Sequence, residues 1–119
     1  MAKRVLIIED YADSAQILCL ALESCGHRVQ VAATGRDGID MARAFRPDVI
    51  VCDLGLPDID GLVVARTIRA DATLRHVRLV AFTAHSAPEP AAAAGFNAFV
   101  RKPADFRELA AQVEATHTT

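Results

Sequence analysis

The chain has 119 residues, 52% of them hydrophobic, with 13 basic against 15 acidic side chains and a formal charge of −2. That allows one hydrophobic core and one domain, too apolar for a disordered chain and too nearly neutral for a nucleic-acid footprint. No run approaches the roughly 18 apolar residues of a membrane span, and Met-Ala-Lys-Arg leads straight into a strand-like run rather than a signal sequence, so a cytoplasmic protein is expected.

Val5-Leu-Ile-Ile8 is a continuous apolar run that stops at Glu9-Asp10. From about Asp13 to Cys25, apolar residues at Ile17, Leu18, Leu20, Ala21 and Leu22 recur with a helical period, and Gly26 ends the segment. Val29, Val31 and Ala33 alternate with polar neighbours, as in a strand near a sheet edge. Arg36 to Phe45 carries a stripe of Ile39, Met41, Ala42 and Phe45, and Pro47 closes it. The next run, Asp48-Val-Ile-Val-Cys-Asp53, is β-branched, ends in a carboxylate and breaks at Gly55 and Pro57, so it reads as a strand buried on both faces. Asp60 is placed to cap a helix with Leu62, Val63, Ala65 and Ile68 inward, and Asp58 reads as a turn or cap residue. Val77 to Phe82 and Phe96 to Val100 are two further strands. A last helix from about Asp105 carries Phe106, Leu109, Ala110 and Val113. The three cysteines, Cys19, Cys25 and Cys52, contain no CxxC pair and are expected to be free thiols packed in the core.

Five strands alternating with helices predict a doubly wound, parallel α/β sheet, whose chemistry gathers at the carboxyl ends of its strands. The first strand-to-helix loop, Glu9-Asp10-Tyr-Ala-Asp13, has no glycine and extra negative charge. A dinucleotide pyrophosphate is excluded there and a cation is favoured. Glu9, Asp10 and Asp53 each follow a buried strand. Carboxylates brought that close need neutralising, and a hard divalent ion such as Mg²⁺ does so with oxygen ligands. Thr83 and Lys102 end the fourth and fifth strands on the same sheet edge. A hydroxyl and an ammonium opposite a metal suit the oxygens of an incoming phosphoryl group, with Asp53 as the nucleophile.

Taken in order, Ile-Ile-Glu9-Asp10, Val-Cys-Asp53-Leu-Gly-Leu-Pro-Asp-Ile-Asp-Gly61, Phe82-Thr83-Ala84, Ala94-Gly95-Phe96 and Phe99-Val-Arg-Lys102-Pro103 resemble the receiver domain of bacterial two-component response regulators. The resemblance runs from Val5 to about Val113 and treats residues 1–119 as a single receiver domain. It implies a flavodoxin-like five-stranded sheet of order 2-1-3-4-5 with helices on both faces. It also implies that Asp53 takes a phosphoryl group from a phosphohistidine of a sensor histidine kinase or phosphotransfer protein. Glu9, Asp10, Asp53 and the backbone carbonyl of Gly55 would hold Mg²⁺, Thr83 and Lys102 would contact the phosphoryl group, and Phe99 would be the switch aromatic. A cis bond before Pro103 belongs to the same pattern, and His85 falls where the family tunes the lifetime of the phosphate. The expected output is a downstream protein partner, with no direct nucleic-acid or membrane binding.

The chain departs from the family between Thr83 and Lys102, a segment roughly one helical turn short. It contains Pro88 and Pro90, so a shortened fourth helix beginning after Pro90 is expected, in a segment that is irregular from Ser86 to Ala94. Gly55 stands where the family often has a bulkier residue, as in receivers of hybrid sensor kinases. Two other classes compete. An aspartate-nucleophile phosphohydrolase would carry a second acid two residues past Asp53, where this chain has Gly55, and would need a cap domain. A pure interaction module would not need Glu9, Asp10, Asp53, Thr83 and Lys102 together.

Overall fold

The computed structural model describes residues 2–84, 88–102 and 106–115. Five strands alternate with five helices: β1 (Arg4–Ile8), α1 (Ala12–Ser24), β2 (Arg28–Ala32), α2 (Gly35–Phe45), β3 (Val49–Cys52), α3 (Gly61–Ala70), β4 (Arg78–Thr83), α4 (Pro88–Ala94), β5 (Ala98–Arg101) and α5 (Phe106–Glu114). The strands form one parallel sheet in the order β2-β1-β3-β4-β5, the doubly wound, flavodoxin-like arrangement expected.

Alternation along each strand divides the interior into two cores. Leu6, Ile8, Ile50, Cys52, Leu79 and Ala81 face α2, α3 and α4, where Ile39, Ala42, Val64, Ile68 and Ala91 meet them. Val5, Ile7, Val49, Val51, Val80 and Phe82 face α1 and α5 through Leu18, Leu22, Leu109 and Val113. The central strands are apolar throughout because they are covered on both sides. β2 lies at the edge, so Arg28 and Gln30 are exposed while Val29 and Val31 pack inward.

Several inward faces differ from the sequence expectation. In α1 the buried stripe is Ala15, Leu18 and Leu22, whereas Ile17 and Leu20 are exposed. In α3 the buried set is Gly61, Val64, Ala65 and Ile68, so Val63 turns outward and Val64 takes its place. Both helices carry more apolar residues than one stripe accepts, and the angle at which each meets the sheet makes the choice. Cys52 is buried, but Cys25 is exposed at the end of α1, so core packing fails for it; all three thiols are free.

The short fourth helix is present, but it begins at Pro88 rather than after Pro90, and residues 88–94 are regular helix rather than irregular chain. Proline costs no helical hydrogen bond in the first turn, where the N–H groups have no intrahelical acceptor. Gly95, at φ 115°, ends the helix in the left-handed region, and the Phe96 N–H returns to the Ala91 carbonyl. β5 consequently starts at Ala98 rather than Phe96. The expectations for His85, Ser86, Pro103 and Asp105 lie outside the described residues.

At the end of the sheet away from the acidic loop, Arg69 ties α3 to its neighbours. Its guanidinium donates to the carbonyls of Gly95 (3.0 and 2.7 Å), Val77 (2.6 Å) and Arg75 (2.9 Å), and to Asn97 Oδ1 (2.8 Å). Asn97 Oδ1 also accepts the Leu79 N–H at 2.8 Å. No helix among the described residues is long and apolar enough to cross a membrane.

Candidate functional site

β1 and β3 are neighbours in register, Ile8 opposite Cys52, so the residues that follow them emerge together. The Asp53 N–H donates to the Ile8 carbonyl at 3.0 Å and fixes this junction. Glu9, Asp10 and Asp53 each present a carboxylate oxygen within 4.8 Å of the others, a grouping able to hold a metal ion. β5 ends beside β4: the Lys102 N–H donates to the Thr83 carbonyl at 2.9 Å. The Lys102 side chain then reaches across the sheet end, bonding Glu9 Oε1 and, at 3.1 Å, Asp53 Oδ2. Thr83 is fully buried at the end of β4.

Position decides the protonation of the two inner carboxyls. Burial raises the Glu9 pKa above its ordinary value, and Asp53 beside it adds to the effect against the opposing Lys102. Burial also pushes Asp53 upward, but the neighbouring Glu9 carboxyl, the hydrogen bond from the Gly55 N–H and the charge of Lys102 outweigh it and hold Asp53 below the ordinary value. The two shifts run in opposite directions, so Asp53 is the more readily ionised of the pair. An ionised Asp53 is what nucleophilic attack requires.

Glu9 Oε2 is fully buried and has no hydrogen-bond partner among the described residues. A buried carboxylate oxygen without a donor is costly and is relieved by a cation. The three grouped carboxylates offer only oxygen ligands, which fits a hard ion such as Mg²⁺.

The β3–α3 loop is held at both ends. The Gly55 N–H donates to Asp53 Oδ1 at 3.1 Å, which brings Gly55 beside the acidic group. Asp60 caps α3 by accepting the Leu62 N–H at 2.9 Å, as expected. Asp58 caps a different helix from the one it precedes. Its two oxygens accept the N–H groups of Gly35 (2.8 Å) and Arg36 (2.9 Å) at the start of α2. Sequence spacing had no means of finding this partner, which lies 23 residues away. Neither Asp58 nor Asp60 belongs to the grouping able to hold a metal.

Gly61 packs against the backbone beneath the site. A Cβ there would lie 2.5 Å from the Asp53 carbonyl oxygen and 2.7 Å from Leu54 Cα. Gly61→Ala is expected to cost about 2 kcal/mol, because main chain must move to admit the methyl group. Urea unfolding checks this; a variant as stable as the wild type would show that the loop yields freely.

Phe99 lies half-buried on the edge strand β5, packed against the α2–α3–α4 core, with the Arg101 guanidinium 5.3 Å from its ring centroid. One neighbour of the site escaped the sequence reading. Phe82 lies with its ring 5.2 Å from the Lys102 ammonium, and its position before Thr83 in an apolar run marked it only as core.

A family model for the response regulator receiver domain matches residues 5–114. The polar-differentiation response regulator DivK of Brucella anthropi is 32% identical over 106 residues, covering 87% of this chain and 86% of DivK. Among solved structures, the receiver domain of a sensor histidine kinase from Pseudomonas aeruginosa PAO1, with a magnesium ion coordinated in its active-site cleft, superposes with a TM-score of 0.87. It is 30% identical, over 96% of each chain. The signal receiver domain of a signal transduction histidine kinase from Syntrophus aciditrophicus gives a TM-score of 0.86 at 26% identity, over 98% of this chain and 96% of that one. With its five-stranded sheet, its acidic strand ends and these matches across nearly its whole length, the chain belongs to the response regulator receiver domains, the phosphoryl-accepting switches of two-component signalling.

Proposed function

We propose that Asp53 is the phosphoacceptor of this receiver, and that it takes its phosphoryl group from a phosphohistidine on a sensor histidine kinase or phosphotransfer protein. The observation that carries this reading is the convergence of Glu9, Asp10 and Asp53 within 4.8 Å, with Lys102 bonded to Glu9 and Asp53. Glu9, Asp10, Asp53 and the carbonyl of Gly55 would hold the metal, and bound Mg²⁺ supplies positive charge against the oxygens of the phosphoryl group. An Asp53 oxygen attacks phosphorus in line with the leaving imidazole; the P–N bond breaks as the P–O bond forms. Lys102 turns its ammonium to the phosphoryl oxygens, and the Thr83 hydroxyl donates to them. Because Asp53 is already ionised, no general base is needed. Phe99 would follow the displacement of Thr83 and alter the surface that a downstream protein partner reads. The chain's own chemistry is then limited to self-catalysed phosphorylation and dephosphorylation, in the cytoplasm with its donor.

Incubation with acetyl phosphate and Mg²⁺, followed by a phosphate-affinity gel, tests the reading. A stable retarded band that requires Mg²⁺ is expected. Steady turnover of phosphate monoesters without such a band would point to a hydrolase.

Mg²⁺ at millimolar levels should raise the melting temperature of the unphosphorylated protein by a few degrees, since a ligand stabilises the state that binds it. Asp10→Ala should remove that shift by removing a ligand. Calorimetry with and without Mg²⁺ measures it, and an unchanged shift in the variant would take Asp10 out of the ligand set.

A further inference from the structure

We propose that Phe82 is a positioning residue for phosphoryl transfer: the face of its ring seats the Lys102 ammonium and keeps it aimed at the acidic end of the sheet. The inference rests on the assignment of Lys102 to the phosphoryl group and extends it to a residue that touches none of the reacting atoms.

The pairing of β4 with β5 sets Phe82 opposite Val100, and both belong to the core beneath α1 and α5. Lys102, two residues beyond Val100, continues the alternation onto that same face. Glu9 follows Ile8 and Asp53 follows Cys52, so both of these acids also share the face of Ile7, Val51 and Phe82. The ring is 6% exposed and therefore fixed by packing, and Lys102 Nζ stands 5.2 Å from its centroid. This is within the range at which the negative ring face attracts an ammonium.

A lysine needs such a seat because its stem has four rotatable bonds and its ammonium is a point charge without a preferred direction. Two carboxylates supply attraction without a unique direction, and both are also ligands for a divalent cation. The ring does not compete for that cation, since Mg²⁺ takes hard oxygen donors. The Phe82 contact therefore lasts while the charged partners of Lys102 change. Leucine or methionine in place of Phe82 would fill the core and offer no such face.

The closing experiment uses Phe82→Leu, Phe82→Met and Phe82→Tyr with acetyl phosphate and Mg²⁺, following the phosphorylated mass over time. Leu and Met should lower the phosphorylation rate constant by about fivefold, the scale of a partly desolvated cation–π contact, while Tyr stays within about twofold of the wild type. Thermal melts run in parallel identify variants that merely fail to fold. NMR of the wild type without metal supplies a second readout: the Lys102 ε-methylene protons should resonate upfield, shielded by the ring, and should return toward the ordinary lysine position in Phe82→Leu. Equal rates in all folded variants, or an equal loss in Leu and Tyr, would overturn the proposal, and so would an unshifted Lys102 resonance in the wild type. Failure of the wild type to accept phosphate would count against the phosphoacceptor reading instead, and the NMR shift would still decide the seat.

Discussion

Asp53→Asn is expected to abolish phosphoryl acceptance completely while leaving a folded protein. The amide matches the carboxylate in shape, keeps an oxygen able to accept the Gly55 N–H, and is not a nucleophile. Glu9 is more deeply buried than Asp53, and that burial raises its carboxyl pKa, so it is the less readily ionised of the two. Asp10 emerges from the other strand, one residue past Glu9. Losing one of three crowded negative charges should leave stability within about 1 kcal/mol of the wild type, since Lys102 retains Glu9 as a partner. Intact-mass spectrometry after acetyl phosphate treatment reads the result. The wild type should gain one phosphoryl group, ~80 Da, and the variant none. A full gain in the variant would mean that a different residue is the acceptor.

The second large effect is expected far from the chemistry. Arg69→Ala should lower stability by about 3 kcal/mol, because the carbonyls of Val77 and Gly95 lose a charged donor in a partly buried place. The melting temperature should fall by about 12 °C, at roughly 4 °C per kcal/mol for a domain of this size. Arg69→Lys should recover only a minor part, since one ammonium cannot spread over acceptors on four residues as a planar guanidinium does. Urea unfolding of the three proteins decides the matter. An Arg69→Ala variant within about 0.5 kcal/mol of the wild type would show that water replaces the guanidinium without loss. If α4 is held mainly through this tie at Gly95, amide exchange in residues 88–94 should rise in the variant before the central strands are affected.

The physical difference between these residues explains what could be read in advance. Asp53 was legible because its signal is local: an apolar strand, an abrupt carboxylate and a glycine–proline break occupy one short stretch. The same holds for Glu9, Asp10, Thr83 and Lys102, each of which lies at the carboxyl end of a strand. Parallel strands in one sheet all end on the same edge, so knowing where the runs stop is nearly enough to collect the site. Arg69 gave no such sign. Its acceptors lie 6 to 28 residues further along the chain, on a loop, on the end of α4 and on the turn into β5.

Helix faces fall between these cases. The periodicity of α1 and α3 marked them as amphipathic helices, but Ile17, Leu20 and Val63 satisfy that period and still point to solvent. Which apolar residues turn inward depends on how each helix lies across the sheet, and the sheet is assembled from segments distant in sequence. Pro90 misled in the opposite direction, since a proline that stops a helix from within is tolerated in its first turn. Asp58 shows the same limit at the site itself. Its composition identified a capping side chain, but the helix it caps arrives beside it only through the packing of α2 on the β3–α3 loop. Local chemistry is written in neighbouring residues, whereas the choice of partner is an energy shared between segments that meet after the chain has folded.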